Sequence, residues 1–165
     1  MDRHEARGLT LIEVTIVMVL STLVVMGMIS FYISSQSTWM AGSTQALAQR
    51  DATLLIETVS ARVHEACVAV VIPSASPQHQ GLVLYDPAGI ETWRFWWSPT
   101  DSLIYQQGPG VGPGVPVVPS RVTHFELDTL PRLVEIRLVE LRAGDGQLVS
   151  MSSAAAIYNR ETRAP

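Results

Sequence analysis

Gly8-Leu9-Thr10-Leu11-Ile12-Glu13-Val14 decides the reading of this chain, because after Glu13 no Asp, Glu, Lys or Arg occurs until Arg50. Residues 9–33 are otherwise apolar, interrupted by Thr10, Thr15, Ser21, Thr22, Gly27 and Ser30. As a helix they reach about 37 Å, enough to cross a bilayer core. A carboxylate held in lipid costs about 2.5–3.5 kcal/mol on insertion scales, so one at this place points to function. A cleaved secretory signal fits poorly. Its apolar region is shorter and lacks an acid, whereas the nearest Ala-x-Ala here, Ala46-Leu47-Ala48, lies well past the run. Arg3 and Arg7 precede the span and no cation follows it until Arg50, which puts the N-terminus in the cytoplasm and the remainder outside.

Working outward, no proline occurs from Leu9 to Cys67, and all ten prolines lie from Pro73 onward. That partition predicts one long helix followed by turns and strands, with Gly27 and Gly42 as the points where the helix can bend. The helix should leave the bilayer among the Ser, Thr, Gln and Gly of residues 34–44, where Trp39 suits the interface. Farther on, Ala52, Leu55, Val59, Val63 and Ala66 recur at helical spacing, with Asp51, Glu57, Arg62 and Glu65 placed elsewhere. The helix thus carries one apolar stripe suited to a sheet, and Arg62 and Glu65 are expected to pair in water. Cys67, the sole cysteine, reads as a small buried residue.

Beyond Cys67 the pattern predicts about seven short antiparallel strands. They fall near residues 68–72, 82–85, 90–97, 103–107, 121–129, 132–141 and 148–158. Asp86-Pro87-Ala88-Gly89 and Asp145-Gly146 mark turns, and Ser98-Pro99-Thr100-Asp101-Ser102 a hairpin loop. Residues 108–119, with four glycines and four prolines, should form an exposed loop. The fold class is therefore α+β, a long helix whose outer half covers an antiparallel sheet. Three of the four tryptophans, Trp93, Trp96 and Trp97, share one expected strand, so Trp96 and Trp97 point to opposite faces. Either one face enters the core while the Gly/Pro loop covers the other, or the outward face anchors a neighbouring subunit. Trp96 and Trp97 are the candidate interface residues on the second reading.

Enzyme chemistry finds no anchor. His4, His64, His79 and His124 lack zinc spacing, no Gly-x-Ser-x-Gly or phosphate-binding glycine motif is present, and Asp145-Gly146 is too short for a calcium loop. The chain is read as non-enzymatic, with no catalytic residue, no cofactor and no metal. All eleven basic residues are scattered arginines and the formal net charge is −4, which argues against nucleic acid as a partner.

The short charged leader, the Gly8-Leu9-Thr10-Leu11-Ile12-Glu13 motif and the charge-free helix after it resemble the class III leader of type IV pilins and type II secretion pseudopilins. Leu9 stands where the family usually has Phe. With a sheet-rich remainder, the chain is most similar to J-type minor pseudopilins or W-type minor pilins. The resemblance implies four segments: a leader at 1–8, a transmembrane helix at 9–33, an extracytoplasmic helical half at 34–67 and a β-rich head at 68–165. It implies cleavage by a prepilin peptidase between Gly8 and Leu9, N-methylation of Leu9, and residence in the inner membrane with a periplasmic head. It also implies incorporation with other minor and major pilin-like subunits, at an inner-membrane assembly platform, into a pseudopilus or a pilus. Glu13 would then be a registration charge, meeting the new amine of a neighbouring subunit. A buried carboxylate is costly, and pairing offsets that cost only in the correct register. The rival reading is a membrane-anchored extracytoplasmic binding domain that never polymerises.

Overall fold

A computed structural model of the chain describes residues 10–73, 79–110, 112–144 and 146–158. The chain divides into two compact units, one to Gly42 and one from Ser43, and helix α1 (Leu11–Glu65) contributes to both. In the first unit α1 is exposed along its whole apolar run. An 18-residue window there has a mean hydropathy of 2.4, so this helix is long and apolar enough to cross a membrane.

The second unit is an α+β head. Its strands are β1 (Val68–Pro73), β2 (Gln80–Tyr85), β3 (Glu91–Trp97), β4 (Ile104–Gln107), β5 (Val115–Pro116), β6 (Val122–Leu130), β7 (Leu133–Arg142) and β8 (Leu148–Ala156). Among the described residues they form two antiparallel sheets, a five-stranded one in the order β1 to β5 and a three-stranded one of β6, β7 and β8. The seven expected strands are all present, but they divide between two sheets. The eighth, β5, corrects the reading of residues 108–119 as loop throughout. Val115 and Pro116 pair with Gln106 and Tyr105 at the sheet edge, where proline's missing N–H costs no ladder bond. Val118 then turns inward and is buried.

The turns follow their residue chemistry. Asp86 Oδ1 accepts the Ile90 amide at 2.8 Å, and Gly89 takes φ +77°, a conformation glycine adopts without strain. Between β7 and β8 the Gly146 amide donates to Ala143 O at 2.9 Å with φ +87°; Asp145 lies outside the described residues. Between β3 and β4, Ser102 has φ +61°, and its carbonyl accepts the Val122 amide at 2.8 Å.

The core lies between the outer half of α1 and the two sheets. The whole expected stripe, Ala52, Leu55, Val59, Val63 and Ala66, is buried in one cluster with Leu82, Leu84, Phe95, Ile104, Phe125, Ile136 and Leu141. Cys67 is buried as well. A smaller group of Ala48, Ala143 and Val149 closes the end nearest Ser43. Asp51, expected to lie off the apolar stripe, is instead buried beside it. It is 9% exposed, and its Oδ2 accepts the Ser120 hydroxyl at 2.5 Å. That bond ties the end of the Gly/Pro segment to the helix. Arg62 pairs with Glu65 at 3.1 Å as expected, and its guanidinium also lies 4.0 Å over the Trp93 ring, so pairing in water is only part of its role.

Candidate membrane and assembly interface

The first turn of α1 is built by two side chains. Thr10 precedes the helix, and its amide and hydroxyl both donate to Glu13 Oε2 at 2.9 Å. The Glu13 amide returns a longer bond of 3.4 Å to Thr10 Oγ1. This is the reciprocal Thr-x-x-Glu cap that satisfies amides left over at a helix start. The first-turn acid also faces the positive end of the helix dipole. No ion pair to Glu13 is found among the described residues. Gly8 and Leu9, the expected cut and modification sites, lie outside the described residues.

Along the span three hydroxyls close back on their own helix. Thr15 Oγ1 donates to Ile12 O at 2.9 Å, Thr22 Oγ1 to Met18 O at 2.8 Å and Ser30 Oγ to Met26 O at 3.0 Å. A hydroxyl bonded this way presents no free donor to hydrocarbon, so these residues leave the outer surface of the run compatible with lipid. Glu13 is the one Asp, Glu, Lys, Arg or His between Thr10 and Gln49.

The tryptophan strand separates its two faces as alternation requires. Phe95 is fully buried, while Trp93 and Trp97 pack against the main core. Trp97 donates Nε1–H to Val122 O at 3.1 Å and stacks on His79 at 3.7 Å between ring centroids. Trp96 points the other way and stacks on Tyr105, its direct cross-strand partner, at 5.8 Å. Gly114 lies so close to Trp96 that a Cβ there would stand 2.2 Å from the ring, and one on Gly108 would stand 3.0 Å from Trp93. The Gly/Pro segment therefore covers both tryptophans, and its glycines are what permit the approach. Trp96 and Trp97 remain half-buried, on opposite faces. Beside them Tyr105 O–H donates to Asp101 Oδ2 at 2.6 Å; this bond holds the Asp101 carboxyl below its usual range and the Tyr105 phenol above its own.

Three residues of consequence escaped the sequence reading. The Thr10-Leu11-Ile12-Glu13 spacing is itself the capping signature, so that signal was present. Asp51 sits at helical spacing with Ala48 and Leu55, which marks it as inward-facing. His79 has no such signal, because its burial arises where the two sheets meet. Among the described residues no group of three or more His, Cys, Asp or Glu side chains is placed to hold a metal ion. Against protein-family profiles, curated proteins and solved structures, the chain finds no match.

Proposed function

We propose that this protein is a minor pilin-like or pseudopilin subunit. It resides in the inner membrane by residues 9–33 with its N-terminus in the cytoplasm, and a prepilin peptidase cuts it between Gly8 and Leu9. The Leu9 amine is then methylated, and the subunit joins other minor and major pilin-like subunits at the inner-membrane assembly platform. The observation that carries this reading is Glu13, a single carboxylate heading an exposed, charge-free apolar helix that continues into an α+β head. Its cap with Thr10 is compatible with the cut, since the Thr10 amide that donates to Glu13 survives removal of residues 1–8. In a filament the remaining acceptor capacity of the carboxylate is available to a neighbour's amine, and pairing there selects register.

Co-expression with a prepilin peptidase tests the reading. Intact mass should fall by residues 1–8 and rise by one methyl group on Leu9. A chain that keeps its leader beside an active peptidase favours instead the anchored binding domain, with the Trp strand and Gly/Pro segment as its contact surface.

A further inference from the structure

Where the Gly/Pro segment wraps the edge of the five-stranded sheet it leaves an open cleft of about 490 Å³, a volume in the range of small-molecule sites. Trp93, Gln106 and Gln107 line it from β3 and β4, and Pro109, Pro113 and Val115 line it from the segment. These walls are braced. Gln107 Nε2 donates to Gly112 O at 2.8 Å and ties the segment to β4. Trp93 is fixed by the Arg62 guanidinium, 4.0 Å over its ring, and by Gly108, packed against its six-membered ring. The cleft therefore exists before a ligand arrives, and binding has little left to order.

Gln106 is the odd member. Its backbone pairs with Phe95 on one side and Val115 on the other, yet its carboxamide makes no hydrogen bond among the described residues, and Oε1 is buried. A buried acceptor without a partner costs stability, and folded proteins leave few of them. An amide free at both ends is matched by a group that donates and accepts at once, which is the character of a hydroxyl.

The rest of the lining narrows the ligand. It contains no Asp, Glu, Lys, Arg or His, so a charged molecule would lose water there and meet no counter-charge. An added peptide strand is poorly served by the neighbouring edge. The Val117 amide donates inward to Ile104 O at 2.8 Å, so by alternation Pro116 faces outward, and proline has no N–H to offer. A sugar ring suits what remains, with hydroxyls for the carboxamides and C–H groups for Trp93 and the prolines. We propose that this cleft binds a neutral sugar, one hydroxyl of which engages the Gln106 carboxamide. The cleft belongs to the head alone, so the proposal stands whether or not the chain enters a filament.

The test uses the full chain in phosphocholine micelles, whose headgroup is not a sugar. Cellobiose, maltose and N,N′-diacetylchitobiose are titrated separately, with glucuronate and triproline as charged and peptide controls. Nitrogen–proton spectra follow the Gln106 side-chain amide and the Trp93 indole N–H. At least one neutral sugar should shift both signals saturably, and the two controls should not. Gln106→Leu should weaken that binding by about tenfold or more, the loss of a hydrogen-bonded contact. Its urea midpoint should hold or rise, because the variant removes a buried acceptor that has no partner. Val115→Trp, placed on an exposed rim residue, should block binding while the head stays folded. The proposal is overturned if no neutral sugar shifts the two signals, or if a control shifts them in the sugars' place. A urea midpoint that falls in Gln106→Leu, or binding unchanged in either variant, overturns it as well. Should Gln106→Leu fail to fold, the midpoint has fallen and the proposal goes with it.

Discussion

At the residue scale Glu13 carries two roles that separate by substitution. As a cap it needs an acceptor for the Thr10 amide and hydroxyl, and glutamine supplies one. As a registration charge it needs the negative charge itself. On the proposed function Glu13→Gln keeps the helix start and membrane insertion but fails to enter filaments, as does Glu13→Ala. Fractionation and pull-down of assembled filaments measure this, and normal incorporation of the Gln variant would reduce Glu13 to a cap. Thr10→Ala removes only the cap. It should loosen the first turn by about 1 kcal/mol, seen as faster amide exchange there, while leaving incorporation intact. Gly114→Ala acts at the same scale in the head. Its Cβ would overlap the Trp96 ring, so the segment must lift, costing about 1–3 kcal/mol in the urea midpoint and red-shifting tryptophan emission.

At the element scale the outer half of α1 is held by its stripe and by one buried polar bond. Leu55 is fully buried at the centre of the core, so Leu55→Ala should cost about 2–5 kcal/mol of head stability by chemical denaturation. Asp51→Ala removes the acceptor of the Ser120 hydroxyl and should cost about 1–3 kcal/mol. Ser120→Ala on the Asp51→Ala background should add little, because the two side chains share one bond. The stripe was legible because burial against a sheet imposes a period that residue types report directly. The seven strands were legible for the same reason, through alternation and turn residues. What escaped depends on partners far along the chain. The spacing of Asp51 marks it as inward-facing, but its partner Ser120 lies 69 positions away, and β5 pairs two residues of a Pro/Gly segment with the edge that β4 offers. Division into two sheets is equally nonlocal, since hairpin spacing is the same in one sheet or two.

At the scale of the molecule, pH dependence follows from the groups whose environment shifts them. His79 is depressed in the folded head. The unfolded chain therefore takes up this proton first as pH falls, and stability drops from the ordinary histidine range through the folded value. Asp101 is also depressed, by its bond to Tyr105, so its contribution is present above the ordinary aspartate range and is lost in stronger acid. Tyr105 is raised by the same bond; its contribution disappears as pH climbs through its folded value. Urea midpoints should therefore form a plateau that falls at both ends. Tyr105→Phe should remove the alkaline fall and blunt the lower acid step, and His79→Gln the upper acid step.

Both sheets pair strands in chain order, β1 through β5 and then β6 through β8. A chain made from its N-terminus can therefore zip each hairpin as soon as its second strand is synthesised, with only short loops to close. The five-stranded sheet is complete once Pro116 has been made, before any residue of β6 exists. Until Phe125, Ile136 and Leu141 follow, one side of the helical stripe has no cover. The interval between residues 116 and 141 is thus when the nascent head exposes most apolar surface, and when a chaperone has most to hold.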